Sequence, residues 1–356
     1  MGKQTNRQSR KRLSDVAQSL GVSITTVSNA FNRPDQLSDK LRQHILTRAE
    51  EIGYRGPGVE GRLLRTGHAG AIALYIPEPL TYLLEDAFAA EFLSALVDAC
   101  QQRQIGLLLL PAVPHENSDK PRPPVALDVA AVDAVIFYGI AKDDPVIQRA
   151  IDRGKPVIGI DMIDQDGMIS VGVDDVDGAY KAAQHVLAQG HRQIGVLALP
   201  TSRQRIDRAA TPRDFEQATI RFPQDRWNGY AKAFAEAGLE IENATMQMVA
   251  TNSVSKGCAA TEKLLAVPAP KRPTAILAMS DVLAQGALQA CAANGIEVPT
   301  DMAVIGFDNA PFAANIGLTT VSQNPSEKAE IAVRRALGEE IHTQRLPTKL
   351  VIRKTA

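Results

Sequence analysis

From about residue 70 onward, short unbroken apolar runs alternate with longer segments of helical periodicity. No other sequence feature limits the fold more. The runs are Ala71–Ile76, Gly106–Leu110, Ala134–Tyr138, Val157–Ile160, Ile194–Leu199, Ala275–Met279 and Ala303–Phe307. Each is apolar at consecutive positions, the pattern of a strand covered on both faces. Helices are predicted between them over Glu85–Gln102, Val176–Gln189, Asp225–Ala237, Lys256–Ala266 and Asp281–Asn294. Strands and helices in this order specify parallel sheets in doubly wound α/β units. This body holds about 285 residues, more than one usual domain, so two lobes are expected.

The front of the chain differs in kind. Residues 1–66 carry 12 basic and 6 acidic side chains, net +6, which leaves 27 basic and 34 acidic, net −7, for the rest of a chain whose total is −1. A basic module on an acidic body points to a polyanionic partner for the module. Lys3, Arg7, Arg10, Lys11 and Arg12 precede the first acidic residue. Such an arm either gains affinity for phosphates by counterion release or is a solvated tail.

Three short helices are predicted behind the arm. Ser14 is placed as the first cap, with Val16, Ala17 and Leu20 on one face and Gly21 as terminator. Ser23 caps a second helix that buries Val27 and Ala30. After the Asn32-Arg33-Pro34-Asp35 turn, Ser38 caps a third, with Leu41, Ile45, Ala49 and Ile52 at helical spacing. Ala17 is small where helices cross, Gly21 permits a tight turn, and Val27 packs the second helix on the first. This is helix-turn-helix spacing, which aims the second helix into a major groove. The alternative is a three-helix bundle that touches no DNA.

The runs Leu13-Ser14-Asp15-Val16-Ala17 and Gly21-Val22-Ser23-Ile24-Thr25-Thr26-Val27-Ser28-Asn29, with Ile52-Gly53-Tyr54-Arg55, resemble the headpiece of the lactose/galactose repressor (LacI/GalR) family. The resemblance implies a DNA-facing set of Ser14, Ser23, Ile24, Thr25, Thr26, Ser28 and Asn29, with Ile24 and Thr25 leading base readout. Asn29 stands where many members carry Arg, which leaves the operator sequence open. Residues 56–68 read alone as a Gly/Pro linker with a short basic amphipathic piece. The resemblance makes them a hinge helix for the minor groove, with Arg62 beside the groove and Leu64 as the apolar wedge. Gly56, Gly58 and Gly61 lower its helix propensity by about 1 kcal/mol each, so folding on DNA is expected.

The resemblance continues through Gly190-His191-Arg192-Gln193-Ile194-Gly195-Val196, Arg226-Trp227-Asn228-Gly229-Tyr230, Val304-Ile305-Gly306-Phe307-Asp308-Asn309 and Leu318-Thr319-Thr320-Val321. It implies a periplasmic-binding-protein-like sensor with two α/β lobes, three crossovers and a ligand cleft. The domains are then a headpiece at 1–55, a hinge at 56–68 and a sensor at 69–356. In the cleft the resemblance assigns Arg226 and Asp308 to the effector, with Asp177, Ser280 and Phe307 as further contacts. The planar fork of Arg226 suits paired hydroxyls or a carboxylate, and Asp308 can accept two hydroxyl hydrogen bonds. Asp281 is read as a helix cap. Residues 201–225, rich in arginine, are longer than the family's usual loop. They are expected to be a flexible insertion; were they a lid, an anionic ligand would be favoured.

Enzymatic alternatives find little support. Ile76-Pro77-Glu78-Pro79 stands where a dinucleotide fold has its glycine turn, and the chain has no phosphate-binding Gly-x-x-x-x-Gly-Lys loop and no Gly-x-Ser-x-Gly elbow. Its six histidines lack metal-ligand spacing, and Cys100, Cys258 and Cys291 form no paired motif. No cofactor is expected. The polar, basic start is not a secretory signal, and no apolar run is long enough for a membrane span. These features imply a cytoplasmic, nucleoid-associated repressor. It would bind a near-palindromic operator as a homodimer or tetramer under the control of a sugar-like effector. A nucleoside corepressor in the same cleft is the rival expectation, ahead of a solute-binding protein or an enzyme.

Overall fold

The structure, a computed structural model, describes residues 11–54, 67–111, 126–339 and 342–356. They belong to two compact units that meet between Ala69 and Gly70. The hinge residues Arg62 and Leu64, and Lys3, Arg7 and Arg10 of the arm, lie outside the described residues.

The first unit consists of α1 (Leu13–Leu20), α2 (Ile24–Asn32) and α3 (Asp39–Glu51). Ser14 does not cap α1 as expected. Arg12 occupies the cap position, and its backbone N–H donates to the Asp15 carboxylate at 2.8 Å, leaving Ser14 inside the first turn. An acid three residues past the cap satisfies that N–H as well as a capping hydroxyl would satisfy another. Gly21 ends α1 at φ +64°, a left-handed conformation that glycine adopts without strain. Ser23 and Ser38 cap α2 and α3 as predicted, accepting from Thr26 N–H at 3.0 Å and Leu41 N–H at 3.4 Å. Val16, Ala17, Val27, Ala30, Ile45 and Ala49 form the small core, closed by Tyr54.

The second unit runs β1 (Ala71–Ile76), α4 (Tyr82–Glu85), α5 (Ala87–Gln102), β2 (Gly106–Pro111), α6 (Ala126–Val129), β3 (Ala134–Tyr138), α7 (Pro145–Asp152), β4 (Val157–Ile160) and β5 (Ile169–Val173). The chain then crosses to a second lobe of α8 (Asp175–Ala188), β6 (Ile194–Ala198), β7 (Arg208–Ala209), α9 (Pro212–Glu216), α10 (Arg221–Glu236), β8 (Thr245–Met248), α11 (Val254–Leu265), β9 (Ala275–Ala278), α12 (Asp281–Ala293), β10 (Ala303–Asp308), α13 (Pro311–Asn315) and β11 (Thr319–Ser322). It returns to the first lobe for α14 (Pro325–Ala336) and β12 (Gln344–Leu346), and ends in the second with β13 (Lys349–Val351). The first sheet has the order β12-β5-β4-β3-β1-β2 and is parallel throughout. The second has the order β13-β11-β10-β9-β6-β8-β7, antiparallel only at its two edges.

Three crossovers therefore join the lobes, and two of them are tied together. Asp174 N–H donates to the Leu346 carbonyl at 2.8 Å, and Thr348 Oγ1 donates to the Asp174 carbonyl at 3.1 Å. Strand order reverses at β1/β3 in one sheet and at β6/β9 in the other. Clefts in such sheets open beyond the carboxyl ends of the strands at these points. Among the described residues no helix is long and apolar enough to cross a membrane.

Helix pairs approach closely where glycine replaces a side chain. A Cβ on Gly229 of α10 would stand 2.3 Å from the Val176 carbonyl of α8, and one on Gly286 of α12 would stand 2.3 Å from that of Val254 in α11. The glycine of the Arg-x-x-Gly run is thus a packing requirement, and it fixes how α10 lies on α8.

Residues 201–225 are not the flexible insertion the sequence suggested. They contain β7, α9 and the first turn of α10, which starts at Arg221, earlier than the predicted Asp225. Phe215 is fully buried and stacks on Trp227 with ring centroids 4.5 Å apart. The arginines are largely neutralised: Arg208 pairs with Asp214, Arg221 with Asp225, Arg203 with Asp144 and Arg205 with Glu78. Polar composition concealed buried apolar anchors, Phe215 and Ile220. Phe215→Ala is expected to cost about 3–5 kcal/mol in chemical denaturation, as for other buried aromatics. A loss below about 0.5 kcal/mol, typical of a loose surface segment, would restore the insertion reading.

Candidate functional site

The first unit presents the start of α2. Ile24 is 57% exposed and Thr25 is also exposed. Among the described residues neither side chain makes a hydrogen bond. Thr26 and Ser28 are partly engaged locally, Thr26 Oγ1 lying 2.8 Å from Ser23 Oγ and Ser28 Oγ accepting from Asn32 at 3.3 Å. Asn29 donates to Gln36 Oε1 at 3.1 Å. Ser14 and Ser23 are exposed at the N-terminal ends of their helices. A convex helix start with a free isoleucine and threonine, next to hydroxyls and an amide, has the donors and apolar contact that base edges and phosphates require.

The second unit contains a cleft between its lobes, about 740 Å³ counting the space open to solvent. The first lobe contributes Glu78, Tyr82, Asp86, Phe88, Tyr138 and Asp161. The second contributes Arg205, Phe222, Arg226, Asn252, Ser280 and Asp308, with Gln323 at the crossover. The lining follows β1, β3 and β4 on one side and β6, β8, β9 and β10 on the other, as the two strand-order reversals require.

Arg226 occupies the second-lobe wall. Its Nε donates to Asp175 Oδ1 at 2.8 Å, Nη1 donates to the Met279 carbonyl, and Nη2 stands 3.8 Å from Asp308 Oδ1. The guanidinium lies 3.6 Å above the Phe307 ring and 5.4 Å from that of Phe222. Five N–H bonds in a fixed fork leave donors for a ligand after these commitments. Asp308 ends β10 at φ +125°, with Asn309 at φ +54°. Asp281 holds this strained turn, accepting from Ala310 N–H at 2.7 Å and from Thr320 Oγ1. Strain of this kind persists only where the surroundings over-determine it.

The expected residues are thus partly redistributed. Arg226 and Asp308 stand in the cleft. Ser280 is there too, but its oxygen caps α12 through Leu283 N–H at 3.1 Å, and its hydroxyl donates to Asn252 at 2.6 Å. Asp281, read as a cap, follows the cap and braces the Asp308 turn. Phe307 lies beneath Arg226 and not in the lining. Asp177 is displaced as a candidate: it sits on the outer side of α8, outside the lining, and pairs with Lys181. Asp175, two residues earlier, takes the inward position. Residues two apart on a helix point about 200° around the axis from each other, so only one of them can face Arg226. Asp161 was missed, although it stands directly after β4 much as Asp308 ends β10, and that shared strand-end aspartate was visible in the sequence.

Residues 12–56 match the family model described as bacterial regulatory proteins of the lacI family, and residues 183–356 match that of a periplasmic binding protein-like domain. The HTH-type transcriptional regulator Rv3575c of Mycobacterium tuberculosis is 36% identical over 324 residues, covering 91% of this chain and 89% of its own. The chain belongs to the LacI family of bacterial transcriptional regulators. A LacI-family regulator from Corynebacterium glutamicum superposes with a TM-score of 0.71 at 31% identity, covering 98% of this chain and 99% of its own. The regulator CelR in complex with cellobiose superposes at 0.64 with 25% identity, covering 98% and 100%. Family membership makes this chain a DNA-binding transcriptional regulator with a small-molecule sensor, and not an enzyme.

Asp175, Asp281 and Asp308 hold their protons more tightly than free aspartates. Burial raises the Asp281 carboxyl to about 7, against the opposing hydrogen bonds from Thr320 and Ala310. It raises Asp175 to about 6 against the pull of Arg226, and Asp308 well above its ordinary value. An acid that holds its proton more tightly when folded makes stability fall as pH rises from its unfolded to its folded pKa, here from about 4 to about 7. Asp281→Asn cannot ionise, so it is expected to flatten that fall in melts between about pH 5 and 8. An unchanged pH slope would contradict the raised pKa.

Proposed function

We propose that this regulator is a cytoplasmic, nucleoid-associated repressor. It binds a near-palindromic operator as a homodimer and is controlled by a sugar-like effector in the cleft. The observation that carries the effector reading is the combination of Arg226, with N–H donors to spare, and Asp308, whose Oδ2 accepts no hydrogen bond from the described residues. A donor fork beside an open carboxylate suits vicinal hydroxyls, each of which both donates and accepts. Phe88 and Phe222 supply apolar faces for ring C–H groups. The CelR–cellobiose complex is consistent with a carbohydrate in a cleft of this fold. Effector binding changes how the lobes close, and this shifts operator affinity by a coupling of about 1–3 kcal/mol.

At the operator, Ile24 and Thr25 read bases, while Ser14, Ser23, Thr26, Ser28 and Asn29 position the headpiece on phosphates and flanking edges. Arg62 and Leu64 engage the minor groove. Site selection from random duplexes is expected to return a near-palindrome. Thr25→Ala and Ile24→Ala should each relax selectivity at one base step by about 1–3 kcal/mol, leaving non-specific affinity in place. Selection of no symmetric site would overturn the operator reading.

The effector reading is tested on the purified full chain with uncharged pentoses, hexoses, cyclitols and disaccharides, their phosphates and aldonates, and purine nucleosides. At least one carbohydrate-like compound is expected to raise the thermal midpoint and shift operator affinity. A response to nucleosides alone would replace the sugar reading. No response to any compound would refute the sensor assignment.

A further inference from the structure

Lys328 is a lysine with no solvent exposure, on α14 of the first lobe. Its ammonium donates to both oxygens of Asp161, at 3.0 and 2.7 Å, and to Gln323 Oε1 at 2.9 Å. The amide of Gln323 then donates to Asp308 Oδ1 at 2.7 Å. Gln323 lies in the crossover between β11 and α14, so the chain Asp161–Lys328–Gln323–Asp308–Arg226 runs unbroken from one lobe to the other. Asp161 and Asp308 occupy similar places, Asp161 just past the end of β4 and Asp308 at the last residue of β10, each with positive φ (+53° and +125°) and each lining the cleft.

A buried lysine is costly unless it is paired and hydrogen-bonded. The buried helix neighbours Ala329, Ile331 and Ala332 are apolar, and the Phe88 ring lies 5.2 Å from the ammonium. Lys328 uses two of the roughly four acceptor positions of the Asp161 carboxylate, and Asp161 lines the cleft. The charges around the cleft point the same way. Four lining carboxylates, Glu78, Asp86, Asp161 and Asp308, face two arginines, and both arginines already pair with acids. A ligand anion would find both lining arginines already paired with acids, in a wall rich in carboxyl groups.

We propose that Lys328 and Gln323 are positioning residues that lock Asp161 and Asp308 into one two-sided acceptor clamp. The clamp selects an uncharged polyol with hydroxyl donors on opposite edges and rejects its phosphorylated or oxidised forms. This inference rests on the sensor reading above.

The test uses calorimetric titration of the full chain with the compound panel named above. An uncharged polyol is expected to bind at least about tenfold tighter than its phosphate or aldonate. Lys328→Met strands a buried carboxylate, so it should lose both thermal stability and affinity. The double variant Asp161→Asn/Lys328→Met removes both charges. It is expected to recover the thermal midpoint while its affinity stays down about tenfold or more. Gln323→Leu, which strands no full charge, should weaken binding by about tenfold as well. Wild-type affinity in the double variant or in Gln323→Leu would overturn the clamp and leave the sensor reading standing. Preference for a phosphate or an aldonate would overturn the selectivity in the same way. No binding by any compound would refute both readings.

Discussion

The second lobe is assembled on one buried cation. Arg226 reaches from α10 to Asp175 at the start of α8, to the carbonyl ending β9 and to Asp308 at the end of β10, with the Phe307 ring under its guanidinium. Removing a guanidinium from water costs several kcal/mol, and the site offsets this only if partners are already in place. Four elements must therefore meet at one point. Gly229 makes the meeting possible, since any side chain there would hold α10 away from the Val176 carbonyl.

That arrangement also explains why strain collects at Asp308. Its carboxylate serves Arg226 on one side and Gln323 on the other, and only a left-handed turn lets it do both. Asp281, buried behind the turn, accepts the Ala310 N–H that the turn would otherwise leave unsatisfied. The cleft surface is thereby set by backbone geometry as much as by side-chain identity. Such a site is well placed to couple ligand contacts to lobe closure, because its hydrogen bonds already run through a crossover.

Much of the architecture was legible in the chain. Seven apolar runs became strands with ends within one residue of expectation, because strands covered on both faces admit few polar residues. The strands that escaped notice carry polar or small residues: Thr319 and Thr320 in β11, Gln247 in β8, Ser170 and Gly172 in β5. Residues 201–225 were misjudged because charge density disguised a fold anchored by Phe215. Within the cleft, Arg226 and Asp308 stood in recognisable runs, whereas no local sequence pattern marks Lys328 as buried.

The sequence by itself determined the local rules: helix caps at Ser23 and Ser38, the glycine turn at Gly21, the apolar strands, and the order of strands and helices that commits the body to parallel α/β lobes. These are short-range effects, governed by spacing along the chain. Only the tertiary structure decided which of Asp175 and Asp177 faces inward, where the arginines of 201–225 find their partners, and that Lys328 is buried between Asp161 and Gln323. Those outcomes depend on helix rotation and on contacts between residues far apart in the chain, where the cost of an unpaired buried charge selects the partner.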